Sequence, residues 1–507
     1  MHKSDETVAL IRDEDSVTYG SRSPSESSQF SQNLVFSLDR SLSFCHGFAF
    51  VVGIMLGAGL FVSPGLVVKR TPNIFVALSM WTICGIICML AASVYCELNG
   101  MFPKTGSTYI YVLQTFGRVP GFMVVWSYVV ILTPAAISVV LLTFGAYITQ
   151  LFIEDQTTMT FVITSKAIGF AAFLFMVGLN SIGVQVTGHF QYLFSLSQTI
   201  IVLLLAGLGI YEVCNSADNL TNFNFSVAFN NTLDVFKFKN AGTFGLAVFN
   251  TMWAYDGWSY VPFLSEELIN PDRNMPLITF TAIPFVVFLY LLLNVLFMLA
   301  LTKEELTRSV TVAVTLAHKV AGKKFSYIMP VFIAITCLGT LNSDVYSASR
   351  FFMSAAREKQ LPSVLGFIHR KRRTPLPAIF LTCILTAIWT CIGRDVEDLI
   401  FYFNSCIWLI FGAGFASCLY LKLTRAEYFR PYKVYLANPV CMVCVSVILV
   451  FLAVVAHPTE TAFCMLVVAL SLPVYFIFFH KKWGSRCVST TFSDYLTKKL
   501  NLVPCDI

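Results

Sequence analysis

Two apolar segments of this chain are interrupted at matching places: residues 57–59 read Gly-Ala-Gly, and residues 253–258 read Trp-Ala-Tyr-Asp-Gly-Trp. Glycine weakens a helix by about 1 kcal/mol relative to alanine, and a charge near the bilayer centre costs roughly 2.5–3.5 kcal/mol on insertion scales. A proline follows each interruption at the same interval, Pro64 in the first case and Pro262 in the second. Such paired broken helices in two halves of a chain indicate the substrate site of a secondary transporter.

The composition is that of a membrane protein. Of the 507 residues, 56% are hydrophobic and only 12% are charged, whereas an ordinary globular chain is about 25% charged. Apolar segments near the length needed to cross a bilayer recur at 46–68, 74–98, 120–151, 161–181, 189–213, 242–264, 278–301, 326–353, 376–393, 397–421, 437–456 and 461–480. We therefore predict an all-α polytopic membrane protein with twelve transmembrane helices. A β-barrel would show shorter alternating segments.

The distribution of positive charge predicts the orientation. With both termini cytoplasmic, 23 of the 34 Lys and Arg residues fall in cytoplasmic segments, and the densest cluster is at residues 369–373 (His-Arg-Lys-Arg-Arg). This arrangement satisfies the positive-inside rule. A nucleic-acid partner is not expected, because such binding needs a basic soluble domain.

Three glycosylation sequons support the same orientation. They begin at Asn219, Asn224 and Asn230, all in the polar loop between the fifth and sixth predicted spans. The charge rule places this loop outside, and glycosylation acceptors face the lumen during synthesis. We therefore predict a multi-pass glycoprotein of the plasma membrane.

The ends of the chain differ in composition from the apolar region. Residues 1–44 are rich in serine and mixed in charge, which predicts a disordered cytoplasmic tail. Residues 45–482 form the predicted twelve-helix transporter domain, and residues 483–507 form a cytoplasmic tail. Basic residues around the start of this tail fit contact with membrane lipid. No signal-peptide pattern precedes the first span.

The sequence shows no pattern typical of an enzyme or a metal site. Most of the fifteen cysteines lie inside apolar segments, where cysteine behaves as a small hydrophobe. Cys441 and Cys444 have the spacing of a metal or redox pair but lack a second ligand pair. The seven histidines are scattered. We predict no catalytic residue, no metal and no cofactor.

The interruptions predict a specific binding chemistry. A half-helix that begins near Leu60 presents free N–H groups and the positive end of its dipole, so the backbone of Ala58, Gly59 and Leu60 suits a carboxylate. The half-helices that end near Met55 and Trp253 offer unpaired carbonyls, which suit an ammonium group. Together these groups match the backbone of an α-amino acid.

Asp256 would then face the side chain of the substrate and pair with a cationic one, with Trp253 as a lid over the substrate. The full predicted substrate-binding set is Met55, Gly57, Ala58, Gly59, Leu60, Trp253, Ala254, Tyr255, Asp256 and Gly257. Two alternatives remain open. The glycines are also typical of a close-packing helix face, and Asp256 could pair with a cation of the protein itself.

Several motifs resemble one known family. They stand at residues 55–64 (MLGAGLFVSP), 95–98, 103–106, 265–276 (SEELINPDRNMP), 349–352, 357–358 and 361–363, and they resemble the L-type amino acid transporters of the amino acid–polyamine–organocation superfamily. The resemblance implies a five-plus-five inverted-repeat fold with the first and sixth helices unwound. Repeat one would span about 45–213 and repeat two about 242–421, followed by two further helices over 437–480.

The same resemblance implies alternating access and sodium-independent exchange of amino acids. Residues 253–258 are most similar to the subtype that carries both neutral and dibasic amino acids, since other subtypes have a small residue where Asp256 stands. The alternatives on the same fold are a non-transporting amino acid sensor or receptor and a proton-coupled amino acid symporter. An ion channel would show pore loops or rings of charge.

The chain departs from the family pattern at four places. Ala58 stands where serine is usual, and Gln198 stands where a lysine replaces a sodium ion in the fifth span. Asp344 stands where the family has a small or hydroxyl residue. We therefore treat Gln198 and Asp344 as a candidate ion or coupling site. The loop over 150–160 lacks the cysteine that links these light chains to a heavy chain, so we expect no disulfide-linked partner, while a non-covalent one remains open.

Overall fold

A computed structural model describes residues 38–153, 155, 158–215, 241–308, 312–393, 396–477 and 497–504, and these residues are mostly helical. The first half contains α1 (Phe44–Met55), α2 (Gly59–Arg70), α3 (Ile74–Met101), α4 (Thr108–Phe116), α5 (Arg118–Ser127), α6 (Thr133–Thr149), α7 (Met159–Ile182) and α8 (Val184–Asn215). A π-helical stretch, Tyr128–Leu132, joins α5 to α6. The predicted glycosylation sites Asn219, Asn224 and Asn230 lie outside the described residues.

The second half begins with α9 (Ala241–Ala254) and a 3-10 helix, Trp258–Leu264. It continues with α10 (Pro271–Ala300), α11 (Lys303–Arg308), α12 (Val312–Ser326), α13 (Met329–Arg357), α14 (Leu376–Ile392), α15 (Val396–Thr424), α16 (Ala437–Ala456) and α17 (Pro458–Tyr475). A short 3-10 helix, Ser363–Gly366, lies between α13 and α14.

Within the described residues, ten helical segments are long and apolar enough to cross a membrane. The two remaining predicted spans correspond to the broken pair formed by α9 and the 3-10 helix, and to α14, which has 17 residues. The sequence did not predict α12, which lies in the loop between the seventh and eighth predicted spans. The chain is thus a polytopic, mostly helical membrane protein.

Local signals account for several helix boundaries. The side chain of Asn73 accepts a hydrogen bond from the amide of Val76 at 2.9 Å and caps α3. Thr158 caps α7 in the same way through the amide of Phe161. Such caps satisfy amides that have no partner inside the helix. α13 begins with a proline in its first turn. Proline lacks an N–H, but an N–H at this position would have no partner inside the helix.

The interrupted helices lie at the centre of the molecule. In the most apolar stretch of Phe44–Arg70, 89% of the residues are buried, whereas in that of Pro458–Tyr475 only 28% are buried. Large apolar side chains such as Ile83, Phe175 and Ile448 are exposed on the outer helices. In a bilayer these side chains would contact lipid tails.

A small sheet departs from the predicted all-α class. Strand β1 (Phe367–His369) pairs antiparallel with β2 (Leu502–Pro504), and Ile368 stands opposite Val503. Ile368 packs with Leu38, Met353 and Val503 in a small apolar cluster. The pairing therefore joins the carboxyl-terminal region to the segment between α13 and α14.

Candidate functional site

The two interruptions pack directly against each other. A Cβ placed on Gly59 would lie 2.7 Å from the Cα of Ala254, and a Cβ placed on Gly257 would lie 2.7 Å from the Cγ of Met55. Gly257 also has a φ of +133°, a conformation that side chains rarely adopt. Each break therefore contains a glycine whose lack of a side chain lets the other break approach closely. Each break also contains the ends of two half-helices.

The first break leaves three consecutive amides available. Among the described residues, the N–H groups of Gly57, Ala58 and Gly59 have no hydrogen-bond partner, whereas the amide of Leu60 donates to the carbonyl of Gly57 at 3.2 Å. These amides lie at the amino terminus of α2, where the helix dipole is positive. They can bind an anionic group such as a carboxylate.

A tyrosine that the sequence reasoning missed joins the carbonyl ends of the two breaks. The hydroxyl of Tyr290 in α10 donates to the carbonyl of Met55 at 2.8 Å and to that of Ala254 at 2.9 Å. Its ring packs against those of Trp81 and Tyr255. Tyrosine is ordinary in an apolar span, so no sequence signal distinguished this one. The predicted acceptors for an ammonium group are thus partly occupied by the protein.

A cavity of about 30 Å³ lies beside the second break. Its lining comes from the π-helical stretch and α6, the residues around the second break, α13 and α15, and it includes Asp256, Asp344 and Tyr260. This volume holds roughly one or two water molecules, whereas ligand pockets usually measure about 300 Å³ or more. In this conformation the cavity is therefore too small for an amino acid.

The predicted residues hold different positions relative to this cavity. Asp256 lines it, but the other nine members of the predicted substrate-binding set do not. Trp253 is half-buried and lies near Gly59. Tyr255 is fully buried, and its hydroxyl has no hydrogen-bond partner among the residues that the structure describes. The structure thus places the free amides and the carboxylate of Asp256 in two neighbouring parts of one region.

The carboxylates of Asp256 and Asp344 lack a basic partner within the described part of the chain. The carboxylate of Asp344 accepts a hydrogen bond from the hydroxyl of Tyr260 at 3.2 Å. An ion pair with a cation of the protein, one of the alternatives for Asp256, is therefore not found among these residues.

Gln198 links the first and eighth predicted spans. Its side-chain amide donates to the carbonyl of Gly53 in α1 at 3.1 Å and to that of Thr336 in α13 at 2.8 Å. The hydroxyl of Thr340 also donates to Gly53, at 3.2 Å. Gln198 does not line the cavity, whereas Asp344 does. Gln198 and Asp344, which were predicted to form one coupling site, therefore do not line the same cavity.

Buried ion pairs hold α13 against the segment after the second break. Arg350 and Glu267 approach to 3.1 Å, and each side chain is only 1% exposed. Arg357 and Glu266 approach to 2.6 Å nearby. This end of the molecule is the one predicted to be cytoplasmic. The contacts hold these two segments together in this conformation.

Comparison with known proteins identifies the family. The family described as amino acid permease matches residues 42–479. The human b(0,+)-type amino acid transporter 1 is 32% identical over 489 residues, which cover 95% of this chain and 97% of the relative. The chain belongs to the amino acid permease family. This permease is therefore an amino acid transporter and not an enzyme, as predicted.

Two further relatives resemble the permease over most of their length. The human cystine/glutamate transporter is 31% identical over 442 residues, covering 87% of this chain and 85% of the relative. The human large neutral amino acids transporter small subunit 2 is 30% identical over 461 residues, covering 91% and 83%. The predicted resemblance to the L-type amino acid transporters is thus confirmed.

Proposed function

We propose that this permease exchanges neutral and dibasic L-amino acids across the plasma membrane by alternating access, independently of sodium. The proposal includes twelve transmembrane helices in a five-plus-five inverted repeat, with both termini cytoplasmic. The similarity to a b(0,+)-type amino acid transporter over nearly the whole chain supports it. The observation that carries the substrate class is the carboxylate of Asp256, which lines the cavity at the second break.

The geometry suggests how a substrate is oriented. The free amides of residues 57–59 bind the α-carboxylate, and the side chain extends past the second break into the cavity. A cationic side chain there meets Asp256, which has no basic partner among the described residues. A neutral side chain instead contacts the apolar part of the lining, such as Phe351 and Ile407.

The small size of the cavity and the contacts at the predicted cytoplasmic end support alternating access. The cavity is too small for an amino acid, so the helices must separate toward one side at a time. Opening toward the predicted cytoplasmic side would break the buried pair between Arg350 and Glu267. Proton-coupled symport is the second candidate, favoured by the buried carboxylate of Asp344 in the same cavity.

Replacing Asp256 tests the proposal. Loss of one buried ionic partner typically costs 2–5 kcal/mol, so Asp256→Asn is expected to weaken lysine by at least about tenfold and leucine far less. The measurement is counterflow of labelled leucine and lysine in proteoliposomes. Asp398→Asn is the matched control, because this aspartate is exposed and lies outside the cavity. Equal losses for leucine and lysine would contradict the assigned role of Asp256.

A further inference from the structure

We propose that Asp344 is a second carboxylate of the side-chain subsite, so that a cationic side chain is held between Asp256 and Asp344. The preferred substrates are then L-amino acids with a guanidinium or ammonium group, and arginine binds more tightly than lysine. This inference rests on the proposed function, because it assigns a substrate class to the same transport site.

The position of Asp344 is the first observation. It lies in α13, whereas Asp256 lies at the second break, yet both side chains line one cavity of about 30 Å³. No Lys, Arg or His is among the lining residues that the structure describes. Two carboxylates that face one small space repel each other. A cation bound between them removes this repulsion.

The incomplete hydrogen bonding of the cavity is the second observation. Asp344 is only 5% exposed. Within the described residues its Oδ1 atom accepts a hydrogen bond from Tyr260, and its other carboxylate oxygen accepts none. Ser259 and Thr133 also line the cavity, and these residues are 3% and 8% exposed. Within the described residues, neither hydroxyl makes a hydrogen bond. Buried polar groups are usually paired. These unpaired groups all can accept a hydrogen bond from a bound N–H donor.

The acceptors determine the chemical class of the ligand. A guanidinium is planar and presents several N–H donors in a fixed fork, so it can bond to two carboxylates and a hydroxyl at once. An ammonium is a compact charge with fewer N–H donors, so it can donate hydrogen bonds to fewer of these acceptors. An anionic side chain would add a third negative charge, so glutamate is excluded although one relative is named a cystine/glutamate transporter.

The experiment compares arginine with citrulline, which has nearly the same shape and no charge. Both compete with labelled leucine for uptake into proteoliposomes that contain the full-length permease. Asp344→Asn is expected to weaken arginine at least about tenfold and to leave citrulline nearly unchanged. Asp344→Glu should restore part of the preference for arginine. Ser343→Ala, at a buried neighbour outside the cavity, should behave as the wild type.

A second measurement does not alter Asp344. In Asp256→Asn, arginine should still compete better than citrulline, because one carboxylate of the pair remains. The combined variant Asp256→Asn, Asp344→Asn should then lose the difference entirely. If arginine and citrulline compete equally in Asp256→Asn, the inference is wrong, and this result holds even where Asp344→Asn fails to insert.

Other outcomes separate the inference from the function on which it rests. If leucine is exchanged but Asp344→Asn weakens the binding of arginine and of citrulline equally, Asp344 is structural. The inference then fails, while the proposed function stands. If a pH gradient drives leucine uptake only while Asp344 is present, with no change in the arginine preference, the residue serves proton coupling. If the wild type exchanges no amino acid at all, the proposed function itself fails.

Discussion

Tyr290 is the residue that connects the two breaks. A hydroxyl has one hydrogen, so the carbonyls of Met55 and Ala254 share it. Both carbonyls are buried at the ends of half-helices that have no further turn to pair with. The hydroxyl of Tyr290 therefore stabilises the interrupted geometry from the side of α10, and any motion of α1 relative to α9 must alter at least one of these bonds.

Removing this hydroxyl gives a prediction at the scale of the residue. Tyr290→Phe leaves two buried carbonyls without a donor, and an unsatisfied buried group costs about 1–3 kcal/mol. We expect a lower melting temperature and a similar loss of leucine and arginine transport. Tyr255→Phe is the matched control, because the hydroxyl of Tyr255 has no partner. A comparable loss in Tyr255→Phe would show that the hydrogen bonds of Tyr290 are not the cause.

The sequence could single out a residue of the candidate site where that residue interrupts an apolar segment. Asp256 is a charge inside an apolar segment, and the structure places it in the cavity. Tyr290 breaks no pattern, and its role depends on contacts 235 and 36 residues away in the chain. The coupling role of Asp344 stays a prediction.

Among the elements, α8 contacts α1 through several side chains, and Gln198 is the one nearest the first break. The amide of Gln198 reaches both α1 and α13, where it donates to the carbonyls of Gly53 and Thr336. Backbone carbonyls from these two places would otherwise attract a cation. An uncharged amide thus satisfies them with two N–H donors, which is consistent with the proposed independence from sodium.

Exchange of cations in the medium tests this arrangement. We expect transport to be unchanged when choline replaces sodium, because Gln198 already occupies both carbonyls. Gln198→Lys should keep transport, since an ammonium donates to the same atoms, whereas Gln198→Ala should lower stability by about 1–3 kcal/mol. The measurements are uptake and melting temperature. Gln185→Ala, an exposed glutamine on the same helix, serves as the control.

Sodium dependence in the wild type would contradict the assignment of Gln198 directly. A normal melting temperature in Gln198→Ala would also contradict it, because the hydroxyl of Thr340, which donates to both carbonyls as well, would then suffice for them.

The long helices were predictable as elements because their apolar runs match the thickness of a bilayer. Helix α12 was not predictable, because its apolar part is short and lies beside Gly322, which has a φ of +77°. Strands β1 and β2 have three residues each. Their pairing joins segments more than 130 residues apart in sequence, and no local pattern reveals such a contact.

At the scale of the whole molecule, the question is whether the permease works with a second chain. One relative is named a small subunit, whereas this chain has no cysteine in the loop over 150–160. Cys214, at the end of α8, is exposed and is the outward cysteine that the charge rule provides. The three sequons suggest that the chain carries its own glycans.

We therefore expect a glycosylated plasma-membrane protein without a covalent partner. On non-reducing gels it should run at its own mass plus sugar, and glycosidase should lower that mass. Replacing Asn219, Asn224 and Asn230 with glutamine should abolish the shift, and Cys214→Ser should change nothing. A complex with a second glycoprotein that dissociates on reduction would overturn this expectation.

The pairing of β1 with β2 also affects how the protein should be labelled. Leu502 is buried, and the paired strand ends three residues before the final residue of the chain. A fluorescent protein attached directly after this strand would begin near Met353 in α13, the helix that also carries Asp344 and Arg350. A fusion with a long Gly/Ser spacer avoids this crowding, because such spacers behave as flexible coils. Fluorescence from a directly attached reporter would measure a permease that carries a second protein beside α13.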